Sequence, residues 1–374
     1  MPNIVTVADD LQSIISSLKS NQFIRSIITN NDDKPPNIIC FTDEQIEDMR
    51  NCMTNDSIVG IDRTFNLGPC FLTALVYQNK NLLRKGTETS PIMLGPIYLH
   101  WDGSYSTYCD FLSKIRSTLG FNISVEKIVF GTDEEIALVN AIKTTFPGSQ
   151  HILCTRHLKE NAQRNFSNQN VSETERSKIV SAIFGSSGLL FSTSEISYLE
   201  RESELLESFG HVGGKYLKDK LLPTLKEKIF LPSQKNSIIP PDWKNNNCES
   251  MNHKIKVLGD WKVSKIPDLV DRLKEIHITQ LLEIRGALHG RGNLELSDRA
   301  KHLRLGHDLW LELTDDQRRK VFNRFVRFQP KTDVIESRDG QLRIPLVARL
   351  AKKPGQTKRV RNTKTISINK RPKV

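Results

Sequence analysis

The spacing of apolar positions divides the chain into a strand-rich stretch and a helix-rich remainder. Ile58-Val59-Gly60-Ile61 is a short apolar run that closes on Asp62. Phe71 to Tyr77 follows after the turn-like Asn66-Leu67-Gly68-Pro69, and Pro91 to His100 is a third run. Each has the length and the turn-residue borders of a strand, and Pro96 inside the third predicts an edge or a bulge. The pattern then changes to helical spacing. Tyr108, Phe111, Leu112, Ile115 and Leu119 recur at intervals of mostly three and four, predicting a helix over Tyr105–Leu119 that Gly120 is placed to stop. Val125–Phe130 (strand), Asp133–Thr145 (helix), Gln150–Cys154 (strand) and Thr155–Phe166 (helix) complete an order β-β-β-α-β-α-β-α. That order predicts an α/β fold with a mixed sheet, a three-stranded meander joined to parallel strands by helices.

The flanks read as helical. Residues 1–56 form an N-terminal helical segment, broken at Asn30-Asn31-Asp32-Asp33-Lys34-Pro35-Pro36, with a capping box predicted between Thr42 and Gln45. The first part of the sheet domain covers 57–166 and a mostly helical insertion covers 167–245, with Pro223 expected to kink or divide its last helix. The domain resumes over 246–285 in two helices. A helical extension (286–340) and a basic, disordered tail (341–374) follow.

Composition narrows the classes. The chain has 374 residues, with 37% hydrophobic and 26% charged residues, ordinary values for a globular protein. No apolar run is long enough to span a membrane, and the start lacks the layout of a secretory signal. The six cysteines include no CxxC pair and read as reduced, mostly buried thiols. The formal net charge is +11, and its placement says more than its size. From Gln341 to Val374 there are eleven basic residues, Lys358, Arg359 and Arg361 among them, and no Asp or Glu, so residues 1–340 carry 43 of each sign. Such a tail predicts DNA binding or nuclear import, and hence a nuclear location.

Three carboxylates have placements that suit metal chemistry. Asp62 closes a strand, Asp133 follows one, and Glu249 opens the helix after the insertion; they lie 71 and 116 residues apart. Hard divalent ions take oxygen ligands, and two ions about 3.5–4 Å apart clamp the attacking and leaving oxygens of a phosphodiester displacement. Each residue also has a plain structural use. Asp62 can hold a turn, Asp133 sits in the first turn of a helix that Thr132 and Glu135 can box, and Glu249 can face solvent. Cys154-x-x-His157 reads either as an orienting or structural pair or as half of a zinc site. The tryptophans Trp101, Trp243, Trp261 and Trp310 are expected in the core rather than stacked on bases.

The local sequences favour one reading. Val59-Gly60-Ile61-Asp62-Arg63-Thr64-Phe65 resembles the first acidic strand of Mutator-like (MULE) transposases, and Phe130-Gly131-Thr132-Asp133 resembles their second acidic segment. His151 to Leu158 is similar to the segment with their C/D-x-x-H signature, and Asn245-Asn246-Asn247-Cys248-Glu249-Ser250-Met251-Asn252 to their third acidic helix. The resemblance covers roughly residues 40–285. It implies an RNase H-like fold with a catalytic triad of Asp62, Asp133 and Glu249, two Mg²⁺ or Mn²⁺ ions, DNA cleavage at transposon ends and strand transfer. It also implies a role near the active site for Cys154 and His157, DNA as partner, and a homodimer or higher oligomer. Arg63, Arg156 and the tail residues are the expected DNA contacts. Arg63 stands where the family usually has glycine, and the zinc-finger modules common in such transposases find too few cysteines here. The competing classes are a domesticated, non-catalytic DNA- or chromatin-binding protein and an RNase H-like exonuclease.

Overall fold

In the computed structural model, the described residues are 4–17, 21–29, 35–120 and 122–330, with two further strands at Ile335–Glu336 and Leu342–Arg343. The elements run α1 (Ile4–Ser17), β1 (Ile24–Ile28), β2 (Asn37–Cys40), α2 (Asp43–Asn55), β3 (Val59–Thr64), β4 (Phe71–Gln78), β5 (Leu82–Arg84), β6 (Ile92–His100), α3 (Tyr105–Leu119), β7 (Val129–Thr132), α4 (Ile136–Thr145), β8 (Gln150–Leu153) and α5 (Thr155–Asn168). Then come α6 (Glu173–Phe184), α7 (Glu195–Lys215), α8 (Leu222–Leu225), α9 (Leu231–Lys235), α10 (Asn246–Leu258), α11 (Ile266–Leu288), β9 (Leu294–Leu296), α12 (His307–Glu312) and α13 (Asp315–Val326). The short strands β10 (Ile335–Glu336) and β11 (Leu342–Arg343) pair within a separate unit, Gln329–Val374. Lys358, Arg359 and Arg361 lie outside the described residues, so the tail's expected role is unaddressed by the fold.

Seven strands form one mixed sheet in the order β1-β2-β6-β4-β3-β7-β8. The pairs from β1 to β3 are antiparallel, and β7 and β8 add in parallel on the β3 side. The meander and the parallel strands therefore fall as the hydrophobic pattern predicts. Helices cover both faces. Along β4, Leu75 and Tyr77 enter the core under α2, α3 and α4, while Leu72, Ala74 and Val76 enter a second core under α1, α10 and α11. A strand apolar at nearly every position is what two covered faces require. Pro96 is accommodated at a register break between β4 and β6, as a bulge in a central strand rather than at an edge. Gln45 donates to the Leu94 and Gly95 carbonyls there, supplying partners that the broken ladder does not.

Four expectations need correction. The N-terminal segment is not all helix, since β1 and β2 extend the sheet beyond β6. Their isoleucines (Ile24, Ile27, Ile28, Ile38, Ile39) favour strands, and the polar break separates the two arms of an antiparallel pair. The strand expected at Val125–Phe130 begins four residues later, after a 3₁₀ turn at Val125–Lys127, because its pairing to β3 and β8 runs through Gly131 and Thr132. The extension from 286 is no appendage. Residue 285 lies inside α11, β9 pairs with β5, and Trp310, Phe322, Phe325 and Val326 complete the same core as α2 and α3. Pro223 divides nothing, because widened π turns at Tyr216–Leu221 and Lys226–Phe230 carry the helix past it.

The insertion packs against β8 and α5 around a third core, built from Leu158, Phe166, Ile179, Tyr198, Leu222 and Phe230 among others. On α7 Tyr198, Leu205 and Gly213 are buried, whereas Ile196 and Leu199 are exposed.

Candidate active site

Period-two geometry decides what each residue of β3 can reach. Val59 and Ile61 enter the core under α3 and α4, so Arg63 faces that side, while Gly60 and Asp62 face α10. Arg63 accordingly pairs with Glu135 at 3.3 Å and lies over the Phe71 ring at 4.8 Å. It does not compete for Asp62. Glu135 also accepts from the Tyr108 hydroxyl at 2.9 Å. With its carboxylate engaged there, the Thr132–Glu135 capping box does not form and the helix starts at Ile136.

Gly60 and Gly131 are register partners on neighbouring strands β3 and β7. Together they make a trough without Cβ atoms. A Cβ on Gly60 would come within 2.6 Å of Cys248 Sγ and 2.9 Å of Asn245 Oδ1, and one on Gly131 would collide with the Trp243 indole. The segment 243–249 sinks into this trough, which is how the start of α10 comes to lie against the strands that carry Asp62 and Asp133. Trp243 is tied down by its carbonyl, which accepts from the Thr155 amide at 3.0 Å and from its hydroxyl at 2.9 Å.

The three predicted acids do not form a set within 4.8 Å of one another; each is held instead by a polar partner of its own. Asn252, one turn beyond Glu249 on α10, donates to Asp62 Oδ2 at 2.8 Å. His157 Nδ1 lies 2.6 Å from Asp133 Oδ1. Arg156 grips Glu249 with both terminal nitrogens, Nη1 to Oε2 at 2.7 Å and Nη2 to Oε1, and the same Nη2 lies 3.3 Å from His157 Nε2. The Arg156 and Glu249 side chains are 38% and 35% exposed, so solvent screens this pair.

Burial, followed by the nearby Asp133 charge, pushes the Asp62 carboxyl up to about 6. The same two acids, after burial, hold the Cys248 thiol well above its ordinary range, so it stays protonated beneath them. A raised folded-state value means that Asp62 contributes stability that is complete below about pH 4 and is lost as pH rises through about 6. Asp62→Asn keeps an acceptor for Asn252. It is expected to leave urea stability unchanged at pH 4 and to raise it at pH 8 by on the order of 1 kcal/mol, discounted for solvent access; a variant no more stable than the parent at pH 8 would contradict the assignment.

Cys154 is buried as the N-cap of α5, and its sulfur accepts from the Asn245 amide at 3.4 Å. Among the described residues, one trio of metal-ligating side chains lies within 4.8 Å of one another: Asp133, Cys154 and His157. The Cys-x-x-His spacing pointed to this trio, with Asp133 as a third member that spacing alone did not add. Asn252 and the glycine trough went unassigned from sequence. The signal for Asn252 was its i+3 relation to Glu249, which places both on one face of a helix.

Comparison with protein-family models and with curated proteins finds no match to this chain. No helix among the described residues is long and apolar enough to cross a membrane.

Proposed function

We propose that this chain is a divalent-metal-dependent DNA phosphodiester-cleaving enzyme of the Mutator-like transposase type, with Asp62, Asp133 and Glu249 as its acids. One observation carries the reading. Gly60 and Gly131 are register partners on the parallel strands β3 and β7, so Asp62 and Asp133, each two residues further on and 71 residues apart in sequence, lie near the ends of neighbouring strands. Oxygen ligands of this kind suit Mg²⁺ or Mn²⁺. A bound divalent ion supplies Lewis acidity at the phosphodiester and lowers the pKa of the attacking water or 3′-hydroxyl. The chain's own residues prepare the place. Asn252 fixes one Asp62 oxygen, His157 orients Asp133, and Arg156 stands ready to take a phosphate oxygen when it releases Glu249. The meander with parallel strands added on the β3 side supports the RNase H-like reading. Nuclear location, DNA contacts from the basic tail and pairing of two copies for strand transfer belong to the same proposal.

The Arg156 clamp favours a second reading, a domesticated protein that binds DNA without cutting it. With both Glu249 oxygens paired to a guanidinium, the third acid is already neutralised. Incubating the protein with supercoiled plasmid and 5 mM Mg²⁺ separates the readings: nicked circles support the enzyme, tight binding without nicking supports the binder, and release of mononucleotides indicates an exonuclease. Arg156→Ala adds a metal readout. It is expected to tighten Mn²⁺ binding roughly 5- to 10-fold by calorimetry, because a cation no longer competes with a guanidinium, and Glu249→Gln in that background should cancel the gain. Unchanged Mn²⁺ affinity in Arg156→Ala would show that the arginine does not occupy the ion's place.

A further inference from the structure

The other end of α10 carries a feature that the acids do not use. After Leu258 the chain turns through Asp260 and Trp261, both with positive φ (50° and 59°), a left-handed conformation that aspartate tolerates and a bulky tryptophan rarely adopts. The Trp261 amide bonds back to the Lys256 carbonyl at 2.9 Å, and its ring rests edge-on against His253 with centroids 5.5 Å apart. The result is an indole held outward, 62% exposed. Sequence reasoning placed all four tryptophans in the core; this one is outside it. Val263 (68%) and Leu258 (51%) are exposed beside it in the chain. The Ser264 amide donates to the Leu67 carbonyl at 2.8 Å, which brings in the loop after β3 with Phe65, 56% exposed and three residues past Asp62.

Large apolar side chains held in solvent at a fixed angle mark a contact surface. Charge says what kind. Lys254, Lys262 and Lys265, exposed like the indole, lie within seven residues of it along the chain, and Asp260 is the one acidic residue between Lys254 and Lys265. Aromatic faces set among lysines suit a single nucleic-acid strand, whose bases stack on the ring while its phosphates meet the ammonium groups. Helix α10 links the two functions. From Glu249 to Leu258 it rises roughly 14 Å at ~1.5 Å per residue, which is about four nucleotide steps at ~3.4 Å per phosphate.

We infer that Trp261, flanked by Phe65 and by Lys254, Lys262 and Lys265, is a stacking platform for an unpaired stretch of the DNA strand that enters the acidic site. The inference rests on the proposed nucleic-acid substrate, but not on cleavage. The test is fluorescence anisotropy with a dye-labelled 20-nucleotide single strand and with the same sequence as a duplex, in EDTA so that no metal chemistry contributes. The single strand is expected to bind more tightly and to quench the exposed indole. Trp261→Ala should weaken single-strand binding roughly 5- to 150-fold, the range for loss of one stacked base, without changing the salt slope. Trp261→Phe should retain most of the affinity and lose the quench. Lys262→Ala should instead lower the salt slope by about one ion. Because the residue is exposed, circular dichroism is expected to match the parent. Equal single-strand affinity in Trp261→Ala would overturn the inference. So would a Trp261-dependent dimer in sedimentation with strand binding unchanged, which would make the patch a contact between copies. Loss of nicking with stacking intact would overturn only the catalytic proposal.

Discussion

Alanine in place of Asp133 is expected to abolish Mg²⁺-dependent nicking of supercoiled DNA while leaving the protein folded. Asp133 sits one residue past β7, its carboxylate is met by His157 Nδ1, and its charge is the largest contribution, after burial, to the raised proton affinity of Asp62. Removing it leaves Asp62 with no second carboxylate beside it and His157 with no acceptor at that position. If the two acids share the ions that activate the nucleophile and neutralise the leaving oxygen, several kcal/mol of transition-state stabilisation goes with Asp133, and ~4 kcal/mol corresponds to about a thousandfold in rate. Single-turnover nicking measures this, with Asp133→Asn as companion. The amide preserves the contact to His157 but not the charge, so it should be nearly as inactive. Parent activity that survives in both variants would remove Asp133 from the chemistry and, with it, the case for a shared metal site.

Gly131→Ala is expected to cost more stability than any substitution on the exposed helices, about 3 kcal/mol or more. Core overpacking by one or a few methylenes typically costs ~1–3 kcal/mol, and here the new methyl would enter the space of a buried indole that cannot retreat. Trp243 is anchored through its carbonyl to Thr155 and packs with Val129, Ile152, Cys154 and Ile239. Urea denaturation reports the loss. A second readout follows from the placement: α10 must shift outward, so Mn²⁺ affinity should fall in Gly131→Ala even in the fraction that remains folded. Trp243→Leu in the same background, which makes room for the methyl, is expected to recover part of the stability. Additive losses in the double variant would mean that the two side chains do not meet.

Much of the architecture was legible in the pattern of apolar positions, because meander strands and amphipathic helices carry strong periodicities. The Tyr105–Leu119 helix and the capping box at Thr42–Gln45 are present as read. The strands β1 and β2 were missed because short isoleucine-rich runs between polar breaks carry the same pattern as buried helix fragments. The three proposed acids stand out in the sequence as residue types, but the partners that each one meets do not. Arg63 and Arg156 look alike in sequence as basic neighbours of key residues. Alternation along β3 sends Arg63 to the opposite face of the sheet, whereas the start of α5 aims Arg156 at Glu249. Only the first of these could have been read from period-two spacing. The second depends on how deeply α10 sinks into the glycine trough, a long-range packing outcome with no local signature.

The anchoring of Trp243 to Thr155 has a consequence for how the chain can change. Residue 155 opens α5 just before the helical insertion and residue 243 lies near the insertion's end, so the hydrogen bonds between them bring its exit back toward its entry, while a hydrophobic cluster shared with β8 and α5 holds it together. Seen from the acids, the intervening stretch is a closed detour whose contour length scarcely registers at its base. Doubling a flexible loop adds only about 0.6 kcal/mol of closure entropy. A detour of different size in its place is therefore expected to leave Glu249 delivered to the same spot.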